Sequence, residues 1–193
     1  MRTLFDDHLP VDDLPVIPGL SYVEGFLTAD SEAELTQAID AADWDTTWER
    51  RRQLYGRSYG RQAVHAAPLP LWGRLLADRI VAAGNSEQGF DQILINEYLP
   101  GQGIALHRDY EPFDRTVASI SLLSRCVMDF HCVADGRRET LLLEPRSLVI
   151  LSDDARYAWE HGIARRKNDR WNGLTLPRSR RLSITFRRFK EPA

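Results

Sequence analysis

In two stretches between residues 30 and 90 the apolar positions recur every three to four residues; from residue 90 onward they alternate with polar ones. The first spacing marks a helix with one buried face, the second a strand with one buried face. Leu35, Ile39 and Ala42 predict a helix that opens at the capping box Ser31-x-x-Glu34 and runs to about Asp43. Pro70 opens a second predicted helix, with Leu71, Leu75, Leu76 and Val81 as its apolar stripe. Between the two, residues 50–67 mix arginine, tyrosine and glycine without a clean period and read as a loop-rich surface segment. Short apolar runs then predict strands at 92–99, 117–124, 126–132, 140–143, 147–151, 157–161 and 181–189. A series of short strands with no helix between them predicts a sandwich or barrel. The predicted class is α+β, with N-terminal helices followed by a jelly roll. Residues 1–20, with Pro10, Pro15, Pro18 and Gly19, read as an extended arm ahead of one domain over 21–193, its jelly-roll core at 91–190.

Composition narrows the class without choosing a function. A chain of 193 residues with 43% hydrophobic and 27% charged residues is an ordinary single globular domain by size and make-up. No apolar run reaches membrane-span length and the first ten residues are acidic, so the expectation is a cytoplasmic protein with no membrane partner. Cys126 and Cys132 on one strand would lie about 20 Å apart, too far for a disulfide, and no Cys-x-x-Cys pair suggests zinc. Nothing in the chain signals an oligomer, and a monomer is expected. The net charge of −3 hides a polarity: residues 1–49 hold twelve acidic residues against Arg2 alone, whereas 156–193 hold eleven basic against three acidic. A basic face of this kind suits a polyanionic partner, and solvated arginines are the competing explanation.

The chemistry is concentrated in the second half. His107 and Asp109 are two apart, so an extended backbone turns both to the same side. Two histidines and one carboxylate on one face leave open positions on a divalent metal, the facial arrangement of non-haem Fe(II) oxygenases. Two histidines compete for the third ligand. His131 sits in the apolar run VMDFHC, whereas His161 follows Tyr157 and Trp159 and precedes the arginine-rich strand by one hairpin; position favours His161.

In that last strand, RRLSITFRR, the even positions Leu182, Ile184 and Phe186 are apolar. The odd positions Arg181, Ser183, Thr185 and Arg187 are polar and carry two permanent charges. Asn96 and Tyr98 also share one face of a strand built from Ile93, Leu94 and Ile95. An amide, a phenol and two guanidinium groups turned into a barrel are costly unless paired, and a dicarboxylate accepting bidentate bonds resolves the cost. The natural candidate is 2-oxoglutarate, whose keto-acid end also chelates iron.

With these residues in place, the stretches NEYLPGQGIALHRD, SISLLSRCVMDFHC, EPRSLVILSDDARYAWEHGI and RRLSITFRR resemble the AlkB-like Fe(II)/2-oxoglutarate dioxygenases. The branch that includes the tRNA wobble-uridine hydroxylase and its bacterial relatives is the most similar. The resemblance covers residues 90–189 and implies a double-stranded β-helix with Fe(II), 2-oxoglutarate and O2 as the reacting set. It implies iron on His107, Asp109 and His161. It gives Asn96 and Arg187 the keto-acid end of 2-oxoglutarate, and Tyr98 and Arg181 its far carboxylate. Ser183 stands where repair members carry asparagine, and Glu111 where they set an acidic residue against the target base. The implied activity is oxidative demethylation of N-alkylated bases in single-stranded DNA, RNA or tRNA, with succinate, CO2 and formaldehyde released. Hydroxylation of a tRNA wobble uridine is the nearest alternative, ahead of a protein or small-molecule hydroxylase and a non-catalytic cupin-like module. Residues 21–90 then carry the substrate lid, where Arg50, Arg51, Arg52, Tyr55, Arg57, Tyr59 and Arg61 offer phosphate pairing and base stacking. Arg52, Tyr55 and Tyr59 are the substrate-binding candidates there. The cluster Arg165-Arg166-Lys167 is a candidate phosphate contact.

Overall fold

The computed structural model describes residues 14–58 and 67–191. In chain order the elements are β1 (Leu20–Val23), α1 (Ala29–Asp40), β2 (Arg52–Gly56), α2 (Leu71–Ala82), β3 (Gln92–Tyr98), β4 (Ile104–His107), β5 (Val117–Leu122) and β6 (Cys126–Cys132). They continue with β7 (Arg138–Leu143), β8 (Leu148–Leu151), α3 (Asp153–Tyr157), β9 (Trp159–Ile163), β10 (Asn168–Trp171), β11 (Leu174–Pro177) and β12 (Arg181–Arg187). Six strands form a large sheet in the order β1-β8-β5-β12-β3-β2, four form a smaller one in the order β4-β9-β6-β7, and β10-β11 is a separate hairpin. Two facing antiparallel sheets make the double-stranded β-helix, the jelly roll expected from the strand pattern.

Alternation along the strands divides the core. Leu182, Ile184 and Phe186 of β12 join Ile93, Ile95, Ile120 and Leu148 on one face of the large sheet, where Leu35, Ile39, Leu76 and Ile80 of the two helices cover them. The other face looks toward the smaller sheet, whose Met128, Phe130, Trp159 and Ile163 form a second cluster with Val149 and Leu151. The odd positions of β12 thus stand between the sheets. Cys126 and Cys132 are both buried and unbridged, as their shared strand requires.

Several local expectations are corrected. The first helix begins at Ala29, and its cap is Thr28, whose hydroxyl accepts from the Ser31 backbone N–H; Ser31 lies inside the first turn. In α2 the buried residues are Gly73, Leu76, Ala77 and Ile80, while Leu71 and Leu75 are exposed. A helix can turn its small residues inward when the sheet approaches closely, and a Cβ on Gly73 would stand 2.5 Å from the Ile93 side chain. Part of the segment read as loop is strand β2, paired with β3 at the edge of the large sheet. The run at 157–161 divides, since Tyr157 ends helix α3 and the strand starts at Trp159. Of the expected arm, residues 1–13 lie outside the described residues; Ile17 is buried and Leu20 pairs with Leu151, so its end is packed.

Candidate metal and co-substrate site

The site is built where β4 and β9 meet. His107 and His161 are register partners across that pair, with ring centroids 4.6 Å apart, and a bulge interrupts the ladder between Ile104 and His107. The bulge presses β4 onto its neighbour at two glycines. A Cβ on Gly162 would lie 2.9 Å from both the Ile104 carbonyl oxygen and the Leu106 nitrogen, and one on Gly103 would meet the Ile163 carbonyl oxygen at 2.2 Å. The glycine after His161 therefore permits the approach that joins the two histidines. Asp109, just past β4, reaches back so that its Oδ2 lies 3.6 Å from His161 Nε2. His131, the competing ligand candidate, alternates to the other side of β6, where its Nδ1 is 3.4 Å from Glu160 Oε2; Phe130 is the residue in register with His161.

Protonation in this cluster suits a cation. Burial by itself would raise the Asp109 carboxyl, but the nearby charge of Arg187, with those of His161 and Arg156, outweighs it and holds the group at about 2. Burial is the main reason the His161 imidazole is pushed down to about 4, against the pull of Asp109. At neutral pH the pair is one carboxylate and one neutral imidazole, the states a divalent metal requires. His107 Nδ1 lies 2.9 Å from the Ala105 carbonyl oxygen; donation there leaves Nε2 as the lone-pair nitrogen. Asp109 Oδ2 is buried without a hydrogen-bond donor.

Among the described residues no group of three or more His, Cys, Asp or Glu side chains is already spaced to hold a metal ion, so His107, Asp109 and His161 must draw closer to take one. Two histidines and one carboxylate are the donor set of a divalent metal whose other positions stay open.

The same cavity is lined by Asn96, Tyr98, Ser119, Ser183, Thr185 and Arg187 from the large sheet. Arg187 is engaged with the acidic ligand candidate, its Nε and Nη2 lying 2.8 and 2.7 Å from Asp109 Oδ1. Arg181 is 2% exposed. Its Nη2 donates to Ser121 Oγ at 2.7 Å, while Nε and Nη1 are buried without an acceptor. Two unanswered donors of a permanent cation are costly, and a carboxylate is the group that answers them. The Tyr98 ring lies 5.3 Å from the Arg181 guanidinium, and burial raises its phenol, which stays protonated. Ser183 Oγ is 2.9 Å from Ser119 Oγ, so the hydroxyl that replaces an amide belongs to a small network. The strand pattern had left Ser119 and Ser121 unnoticed; both lie opposite β12, in register with Thr185 and Ser183.

The outer candidates fare differently. Tyr55 pairs with Ile93 and packs edge-on against Trp72 on the helix side of the sheet, so it does not face the cavity. Arg52 is in register with Asn96 on the cavity side, pairs with Asp45 at 3.1 Å, and lies over the exposed Trp48 ring at 4.4 Å. Arg51 binds Glu97 at 2.7 Å, and Arg50 donates to the Gly103 carbonyl. Glu111 is exposed and ion-paired with Lys190. Arg165 pairs with Glu49, and Arg166 with the buried Asp169. Tyr59 and Arg61 lie outside the described residues.

Residues 27–187 match the model of the 2OG-Fe(II) oxygenase superfamily. The chain is 33% identical to an Arabidopsis thaliana alkylated DNA repair protein ALKBH8 homolog over 98% of its own length and 64% of that protein. It is 33% identical to the Xenopus tropicalis tRNA (carboxymethyluridine(34)-5-O)-methyltransferase alkbh8 over 90% of its length but only 32% of that protein. A probable RNA/DNA demethylase ALKBH6 of Danio rerio is 30% identical, over 88% of this chain and 85% of that one. The chain thus spans under two thirds of the first two relatives. Among solved structures, OsALKBH1 superposes with a TM-score of 0.70 at 18% identity, covering 91% of this chain and 100% of that one, a likeness of fold.

Proposed function

This chain belongs to the 2OG-Fe(II) oxygenase superfamily as an AlkB-like dioxygenase, and on that premise we propose that it oxidatively demethylates N-alkylated bases in DNA or RNA. It is an oxidoreductase that uses Fe(II), 2-oxoglutarate and O2. The observation that carries the reading of the site is the convergence of His107, Asp109 and His161 in one cavity, whose Tyr98 ring lies against buried Arg181 and its unanswered donors. Bound there, iron and 2-oxoglutarate supply the oxidising power that hydroxylates a C–H bond, with succinate and CO2 as co-products.

In this reading His107, Asp109 and His161 hold the metal. Arg187 keeps Asp109 ionised and turns its Oδ2 toward His161. Arg181, oriented by Ser121, takes the far carboxylate of 2-oxoglutarate together with the Tyr98 phenol, and Asn96 with Arg187 meets the keto-acid end. The substrate class rests on the relatives' names and on the β2 edge of the large sheet, where Arg52, in register with Asn96, and the exposed Trp48 ring beside it offer a phosphate partner and a stacking surface. An N-methyl group hydroxylated at such a site departs as formaldehyde. Hydroxylation of a tRNA wobble-uridine side chain is the second reading, favoured by the likeness to the Xenopus protein named for uridine 34.

The test is succinate and formaldehyde production by the Fe(II)-loaded enzyme, with and without N1-methyladenine single-stranded DNA. Stimulated succinate with matching formaldehyde is the expected outcome. Succinate without formaldehyde, rising only with tRNA, would transfer the assignment to stable hydroxylation. His107→Ala and Asp109→Ala are expected to abolish substrate-dependent turnover, and normal turnover in either would remove the metal assignment.

A further inference from the structure

Arg156 is almost fully buried, 3% exposed, and faces the loop that carries Asp109. Its Nη1 donates to the Asp109 carbonyl oxygen at 3.1 Å, and its Nη2 donates to the Tyr110 carbonyl oxygen at 2.8 Å. A third, longer contact reaches the Phe113 carbonyl oxygen at 3.5 Å. Burying a guanidinium is expensive, and here the compensation is a run of main-chain acceptors on one short loop. Arg108, from that loop, donates in return to the Tyr157 carbonyl oxygen at 3.1 Å. Tyr157 closes α3, two residues before the strand that bears His161. The base of α3 is itself anchored, since the Ser152 and Ala155 N–H groups donate to the Gly19 and Pro18 carbonyls, both at 2.9 Å.

Taken together, two arginines exchange main-chain hydrogen bonds between the segment carrying Asp109 and the segment carrying His161. We infer that Arg156, with Arg108 as its reciprocal strap, is a positioning residue that sets the spacing between the acidic ligand and His161. The inference rests on the metal reading given above. A guanidinium holds its donors in one rigid plane and here meets two successive carbonyls through separate nitrogens, so the role is one of geometry and not of charge alone. Neither arginine touches a reacting atom; each acts through the loop it holds.

Mn(II) is the probe, its uptake followed by loss of the free-ion electron paramagnetic resonance signal, with thermal stability of the metal-free protein measured in parallel. Arg156→Met is expected to raise the Mn(II) Kd about tenfold or more, the usual consequence of losing a partner that orients ligands. Ile39→Ala, in the helix-side core and 0% exposed, is the stability control and is expected to lower the Tm while leaving the Mn(II) Kd unchanged. Arg156→Lys keeps the charge without the fork and is expected to weaken binding as well. A rise in Kd no larger than that of Ile39→Ala would overturn the inference, as would wild-type affinity in Arg156→Lys. Should Arg156→Met not fold, Arg108→Gln decides: weaker Mn(II) uptake supports the clamp and unchanged uptake overturns it. Failure of the metal reading itself looks different, because the wild-type protein would then take up no Mn(II), or His107→Ala would bind it equally well.

Discussion

His161 is the residue whose environment has the most measurable consequence. In the fold its imidazole is pushed down to about 4 by burial, from an ordinary value of 6.5. Between those two values the unfolded chain binds a proton that the folded chain refuses, so stability is fully present above pH 6.5 and is lost as pH falls toward 4. The metal-free protein is therefore expected to lose on the order of 3 kcal/mol through this one group over that window. Urea denaturation midpoints across the window check it. A His161→Gln variant is expected to show a shallower fall, and parallel curves for the two proteins would remove the effect. The pairing of His107 with Asp109 was legible because two residues on an extended segment must face one way. His161 was preferred to His131 from its position in the chain alone; the physical reason is tertiary, since His131 alternates to the other side of β6 from Phe130, the residue in register with His161.

At the scale of elements, β12 and β4 teach opposite lessons. The alternation in β12 was plain from the sequence, and the structure sets Leu182, Ile184 and Phe186 against the helices and Ser183, Thr185 and Arg187 toward the cavity. Strand β4 is four residues long, exposed at its centre and broken by a bulge, so it carries no alternating signal. Its position is instead dictated by Gly162. Gly162→Ala sets a Cβ 2.9 Å from two main-chain atoms of β4, and the strand must move. The expected result is a stability loss of about 1–3 kcal/mol together with weakened metal binding. Melting temperature and Mn(II) uptake measure the two parts, and an alanine variant with wild-type uptake would show that β4 does not set the site. Hairpin β10–β11 was missed although its signal was present: Asn172 and Gly173 both take positive φ, at 46° and 77°, in the two-residue turn that joins the strands. In α2 the helical period was found but only Leu76 of the buried face, because Gly73 and Ala77 contribute no hydrophobic signal yet let the helix seat closely on the sheet.

Over the whole molecule, the charge polarity of the sequence proves smaller at the surface than the count of arginines suggests. Arg178 and Arg166 close on the buried Asp169, each at 2.6 Å; Arg180 bridges Glu97 and Asp40; Arg156 and Arg181 are buried, and Arg187 is held by Asp109. A single-stranded oligonucleotide would then meet few basic groups. The expected dependence of log K on log salt has a slope of about −2 to −3, corresponding to roughly three or four phosphate contacts. Fluorescence anisotropy at several salt concentrations measures it. A slope near −7 would mean that the internal pairs open on binding, and a flat response would point to a non-nucleic substrate. Among the described residues no helix is long and apolar enough to cross a membrane. The sequence by itself determined the division into helices and alternating strands and the side chains that share a strand face, because these follow from local periodicity and residue type; its motifs, through the family they resemble, also pointed to iron and 2-oxoglutarate. Only the tertiary structure decided that Arg187 holds the Asp109 carboxylate, that Arg156 meets the carbonyls of its loop, and that Tyr55 faces the helices. Each of these depends on strand order and register, which bring together residues as far apart as Asp109 and Arg187 and which no local pattern encodes.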